Sequence, residues 1–233
     1  MTLYPMLLGA MKVDLTQDGL ASNQLQMMGL LAAMALVPFA VMMLTSFSKI
    51  VVVLSIVRSA LGTQQAPPTT VLTGLAAVLS CTVMAPTFEK MWTAGRAEYA
   101  NAGELSMMIS RSAVVLQPLT DFLVRHGSAE ERARFVDMAR ELRPPEEHEA
   151  VSEQDLSVIV PAFVITELKE AFIIGFLIFL PFLVLDMLIA NVLLALGMQT
   201  LSPSQVSLPF KILLFVAVDG WALLSRGLIL GYR

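Results

Sequence analysis

Apolar residues fill two stretches of this chain, 25–88 and 156–233, and polar and charged residues collect between them at 89–155. The first stretch begins with a run from Leu25 to Phe47 that is long enough to span a bilayer, with Pro38 as the expected kink. No glycine or proline separates it from Ser48–Leu61, so the helix is expected to continue through that segment. Gly62, Pro67 and Pro68 then supply the geometry of a sharp turn. Thr69–Phe88 follows as a second apolar helix, closed by Pro86.

The second stretch contains Pro161 to Met198, PAFVITELKEAFIIGFLIFLPFLVLDMLIANVLLALGM. As one helix it is about 57 Å long, nearly twice the roughly 30 Å of a bilayer's hydrocarbon core. It therefore either bends or rises out of the membrane into protein. Glu167, Lys169 and Glu170 lie within it, and an isolated ionised residue at the centre of a membrane helix costs roughly 2.5 to 3.5 kcal/mol. Such a helix seeks partners rather than lipid. Gln199–Ser207 is read as a turn bearing Pro203, and Pro209 as the opening of a last apolar helix to Leu230. The pattern predicts an all-α integral membrane protein made of two helical hairpins, each a long helix followed by a shorter one. The hairpins occupy 25–88 and 156–233.

Between them, 89–155 reads as a water-facing, mainly helical domain. Gly103 precedes a helix reaching Gln117, Pro118 opens another, and Gly127 ends it. Ser128 and Glu131 have capping-box spacing, and the helix they start carries Ala133, Val136, Ala139 and Leu142 near one stripe before Pro144 and Pro145. Glu146–Asp155 is an acidic connector. Residues 1–24 have no basic region before their short apolar patch at Met6–Met11, unlike a cleaved signal peptide. Lys49 and Arg58 flank the first turn without nearby acids, which puts that turn on the cytoplasmic side and the acidic domain outside.

Composition agrees with a membrane protein: 56% of residues are hydrophobic, 15% charged, and the mean hydropathy is +0.73. A net charge of -4 with scattered basic residues argues against a nucleic-acid partner. Cys81 has no second cysteine to pair with. His126 and His148 have no neighbours at ligand spacing and are read as solvated rather than metal-bound. The sequence has no phosphate-binding loop, no HExxH, no GxSxG and no Cys/His cluster, so neither a catalytic residue nor a cofactor is expected.

The remaining chemistry is charge inside apolar sequence: Glu167, Lys169, Glu170, Asp186, Lys211 and Asp219. Lys169 is one and two positions from its glutamates, which serves pairing within a helix poorly. One reading is pairing between subunits that sets the register of an assembly. A second leaves Glu167, Lys169 and Glu170 solvated at a water-exposed level. A third makes the carboxylates the relay of a proton- or ion-coupled transporter.

Four blocks bear on that choice: SFSKIVVVLSIVRSALGTQQAPP (Ser46–Pro68), PAFVITELKEAFIIGF (Pro161–Phe176), PFLVLDMLIANVLLALGM (Pro181–Met198) and SLPFKILLFVAVDGW (Ser207–Trp221). In this order they resemble the SctR/FliP family of type III secretion and flagellar export-apparatus proteins, on the injectisome side. The resemblance implies a multi-pass protein of the bacterial inner membrane whose middle domain faces the periplasm. It implies a ring of about five copies joined by SctS/FliQ-like and SctT/FliR-like membrane subunits, with SctU- and SctV-like export components nearby. Together these form the export gate through which unfolded proteins pass. It also implies a methionine-rich gasket after the ALG motif, where this chain reads Met198, Gln199 and Thr200; only the first keeps the pattern. The alternative for Met198 is ordinary packing in a hairpin turn.

Overall fold

The computed structural model describes residues 17–63, 66–99, 105–198 and 200–233, and they form helices and no strand. In chain order these are α1 (Gln17–Leu44), α2 (Phe47–Leu61), α3 (Thr69–Tyr99), α4 (Leu105–His126), α5 (Ala129–Glu141), a 3-10 turn (Pro145–Ala150), α6 (Leu156–Ala195), α7 (Pro203–Ala217) and α8 (Gly220–Leu230). Met27–Leu44, Thr69–Ala97 and Leu156–Ala195 are long and apolar enough to cross a membrane. The bent pair α7–α8 makes a fourth span if it is counted as one. The patch at Met6–Met11, Gly103 and Gln199 lie outside the described residues.

The first hairpin departs from expectation at its start. α1 and α2 are separate helices, broken at Thr45 and Ser46 without glycine or proline. Their hydroxyls replace the helix ladder: Thr45 Oγ1 donates to the Val41 carbonyl (2.6 Å) and accepts from the Phe47 N–H (3.3 Å). Ser46, fully buried, donates across to Ser80 on α3 (3.1 Å), and Ser80 donates back to Thr45 (3.3 Å). At the other end of α2, Gly62 adopts φ 75° and its N–H meets the Ser59 carbonyl. The chain then returns as α3.

Proline breaks fewer helices here than its isolated chemistry predicts. Pro86 does not close α3, which runs to Tyr99, and Pro118 lies inside α4 rather than opening a helix. Met84 and Thr87 are buried on either side of Pro86, with Met84 packed against Phe122, Leu123, Ile159 and Phe163. That packing holds the helix through the one missing hydrogen bond. Likewise Pro203 is the first residue of α7, not part of a turn, and Pro209 sits within it. The last apolar stretch is instead broken after Ala217, where the axis turns by 60°. Asp219 supplies the left-handed residue (φ 50°). Gly220 fills the inside of the bend, where a Cβ would lie 2.3 Å from the Phe215 ring.

α2 and α6 form the centre of the molecule. On α2 the residues Ile50, Val53, Leu54, Val57, Ala60 and Leu61 repeat at helical spacing and are all buried. They join Leu72, Ala76 and Leu79 of α3, Ala171 and Phe182 of α6, Phe215 of α7, and Leu224 and Leu228 of α8 in one core. Gly175 lets the two helices touch, since a Cβ there would lie 2.4 Å from the Ile56 side chain.

The polar middle packs on the first third of α6. Val136 of α5 meets Val151 and Val158, whereas Leu142, expected on the same stripe, is 88% exposed, and Ala133 is also exposed. The expected capping box is absent: Ser128 has an N-cap backbone but its side chain makes no cap bond. Its N–H donates instead to Thr166 Oγ1 on α6 (3.0 Å), and Glu131 turns to Arg134 and Lys169. Arg132 closes the end of α4 by donating to the Val124 and Gly127 carbonyls.

Candidate functional site

One stripe along α6 is buried at every fourth residue from Ile159 through Phe163, Glu167 and Ala171 to Gly175, and again two turns further on at Phe182. Because Glu167 lies in that stripe and Asp186 follows Phe182 by one helical step, both carboxylates face inward. They are nineteen positions apart, about 28 Å along the axis. Each is the centre of a polar node.

The first node joins three elements, α2, α4 and α6, and the residues after α8. Lys49, near the start of α2, lies 2.9 Å from Glu167 Oε1 and 2.7 Å from Glu170 Oε2. Glu167 is fully buried and Glu170 is half exposed. Tyr232 donates its hydroxyl to Glu167 Oε2, and the Lys49 ammonium stands 4.2 Å above the centre of the Tyr232 ring. Phe122 stacks on that ring at 6.0 Å and His126 meets its edge at 5.1 Å, both from α4. His126, half-buried, is held below its ordinary pKa, first by burial and then by Lys49 and Arg125, with Glu170 opposing.

The second node ties α6 to α7 and to the end of α2. Lys211 Nζ lies 2.6 Å from Asp186 Oδ2 and 3.1 Å from the Ala60 carbonyl, and Ser207 donates to Asp186 Oδ1 at 2.5 Å. The ammonium therefore neutralises a carboxylate and satisfies one of the last carbonyls of α2, where the helix dipole favours a cation. A Cβ on Gly62 would stand in ordinary contact with Nζ at 3.8 Å, so the glycine serves the φ of the turn rather than space for the ammonium. A third contact is peripheral: Lys169, largely exposed, reaches Glu131 at 3.7 Å.

The structure thus places every charge of the Glu167–Glu170 group beside a partner in its own chain, and Glu167 is not solvated. Asp219 is exposed at the bend and takes part in neither node. Pro67 and Pro68 lie in the turn before α3, and the Ala66–Pro67 peptide is cis. Met198 follows Gly197 (φ 70°) in a motif that caps α6: its N–H meets the Leu193 carbonyl, and that of Gly197 meets Leu194. Its side chain is half exposed, and Thr200 is exposed.

Several members of the nodes were not singled out by the sequence. Lys49 does not flank the first turn; it lies thirteen positions before Gly62 and is 4% exposed, which leaves Arg58 alone beside that turn. A signal was present, because Lys49 shares the helical stripe of Val53, Val57 and Ala60. His126 is packed among aromatics rather than solvated, and His148 Nε2 lies 2.9 Å from the Arg143 carbonyl. Tyr232 and Ser207 carry no local pattern that marks them. Among the described residues no group of three His, Cys, Asp or Glu side chains is placed to hold a metal ion.

Residues 30–228 match the model of the FliP family. The hypersensitivity response secretion protein HrcR of Ralstonia nicotianae is 46% identical over 203 residues, covering 86% of this chain and 94% of the relative. Yop proteins translocation protein R of Yersinia pestis is 41% identical over 215 residues, covering 90% and 97%. The flagellar biosynthetic protein FliP of Caulobacter vibrioides is 41% identical over 219 residues, covering 94% and 80%.

Proposed function

The chain belongs to the FliP family, and from that premise we propose that it is a core, non-enzymatic subunit of a type III secretion export gate. About five copies, with SctS-like and SctT-like subunits, form a ring in the bacterial inner membrane. Unfolded substrate proteins pass along its axis, SctU- and SctV-like components act beside it, and the segment 89–155 faces the periplasm. The observation that carries this reading is the match over residues 30–228, within which every lysine and carboxylate of the two charge nodes lies.

The geometry supports a conduit subunit over a coupled transporter. A relay carboxylate must exchange its proton with water or cargo, but Glu167 is sealed between Lys49 and Tyr232, and Asp186, though partly exposed, is held by Lys211 and Ser207. Such locked pairs fix helix register. Meanwhile Phe172, Phe176, Leu177, Val184, Leu188 and Val192 stay exposed on α6, an apolar surface suited to lipid or to neighbouring subunits. Met198 and Thr200 lie between α6 and α7 and, with Gln199 between them in sequence, form the gasket of this reading, where a deformable side chain can close a pore around varied substrates.

Native mass spectrometry of the chain expressed with its SctS-like and SctT-like partners tests the proposal. A ring of about five copies retaining both partners is the expected result. A stable monomer or dimer that ignores them overturns it.

A further inference from the structure

The exports of a gate subunit do not explain why an aromatic side chain beyond the last helix closes its most buried ion pair. α8 packs mainly on α3 and α7, yet Tyr232, two positions past its end, reaches side chains of α2, α4 and α6 together. Its hydroxyl takes Glu167 Oε2, so Oε1 is left facing Lys49. The face of its ring holds the Lys49 ammonium at 4.2 Å, and its other contacts go to Phe122 and His126. Lys49 has a second choice in Glu170, whose side chain is 49% exposed. Without the phenol, Glu167 keeps a buried oxygen with no donor, and Lys49 is free to swing toward Glu170 and water.

We propose that Tyr232 is the positioning residue of this joint: it fixes the Lys49–Glu167 pair and so clamps the far end of the bent α7–α8 arm onto α2, α4 and α6. The clamp sets the angle at which the second hairpin is presented to a neighbouring copy. This inference rests on the gate-subunit reading for its consequence in assembly, though not for the clamp itself.

Tyr232→Phe tests it, because the ring contacts remain and only the hydroxyl is lost. Two measurements are made on the wild type, on Tyr232→Phe, on Glu167→Gln and on the double variant. One is amide exchange of α8 in the purified chain in detergent. The other is the yield of ring when the chain is expressed with its SctS-like and SctT-like partners. A hydrogen bond to a buried charge corresponds to roughly a tenfold effect or more. Tyr232→Phe is therefore expected to speed α8 exchange by about tenfold and lower ring yield, with the double variant no worse than Glu167→Gln alone. If Tyr232→Phe matches the wild type in α8 exchange, or if the two substitutions add independently, the clamp is overturned. A wild-type chain that forms no ring overturns the gate reading instead, and α8 exchange still decides the clamp.

Discussion

The two nodes on α6 use the same chemistry, a lysine on a carboxylate, in different surroundings. At Glu167 the carboxylate is fully buried, and the charge is closed by an ammonium, a phenol and two further aromatic side chains from α4. At Asp186 the carboxylate is 29% exposed, and its lysine also serves a helix end. At the first node Glu167 itself has no exposed surface through which water can replace a lost partner. At the second, Asp186 has one. A buried pair is thus costly to break in proportion to how completely its neighbours exclude solvent.

Lys49→Met separates the nodes most sharply. It strands Glu167 with the Tyr232 hydroxyl alone, and removing one partner of a buried pair costs about 3–5 kcal/mol. Thermal melting in detergent should show that loss, and Lys49→Met with Glu167→Met should recover part of it, because an apolar pair of similar volume needs no solvation while the Tyr232 hydroxyl loses its acceptor. If the double variant is as unstable as the single one, the node is held by something other than its charge.

Lys211→Met is the matched change at the second node and is expected to cost less, about 1–3 kcal/mol. Asp186 keeps Ser207 and access to water, while the Ala60 carbonyl loses its donor. Expression should survive and ring assembly should fall. A loss equal to that of Lys49→Met removes the distinction between the nodes. Between the nodes, Gly175→Ala should cost about 1–3 kcal/mol by overpacking against Ile56, and Ile56→Ala in the same chain should restore part of it. The pair of melting temperatures checks this directly.

How much of this was legible beforehand follows the same division. Helix type and the long α6 came from apolar run length, which needs no knowledge of neighbours. The relatives 41% identical or more then agree with the family that the four blocks resemble. The breaks did not come through: Thr45 and Ser46 end α1 by hydroxyl bonds to a backbone carbonyl and to α3, whereas Pro86 fails to end α3 because packing on both sides outweighs one missing donor, and Pro118 lies within α4 just before the packed Leu119, Phe122 and Leu123. The carboxylates of α6 stood out as polar groups in apolar sequence. Their partners did not, since Lys49 lies 118 positions before Glu167 and Tyr232 lies 65 after it. Helical spacing alone marked Lys49 as inward-facing, and nothing local marked Tyr232.

The smallest expected effect concerns His126, which only the first node possesses. The groups facing it are Lys49 of α2, Arg125 of its own helix, Glu170 of α6 and the Tyr232 ring edge. Burial and the two cations lower its pKa in the folded chain, so the unfolded chain binds more protons in the window between the lowered value and the ordinary 6.5. Stability from this group is therefore complete above the ordinary value and is lost as pH falls below it toward the folded one. Glu170 opposes the shift and keeps the loss modest. Melting temperature measured downward from neutral pH should decline more steeply in the wild type than in His126→Gln, which cannot take up the proton. The divergence between the two curves should shrink in a Lys49→Met background, where the leading cation that disfavours the imidazolium is gone while burial and Arg125 remain. Curves that diverge as strongly there as in the native background would mean that burial and Arg125 set the response, and that the ammonium over Tyr232 does not reach the histidine.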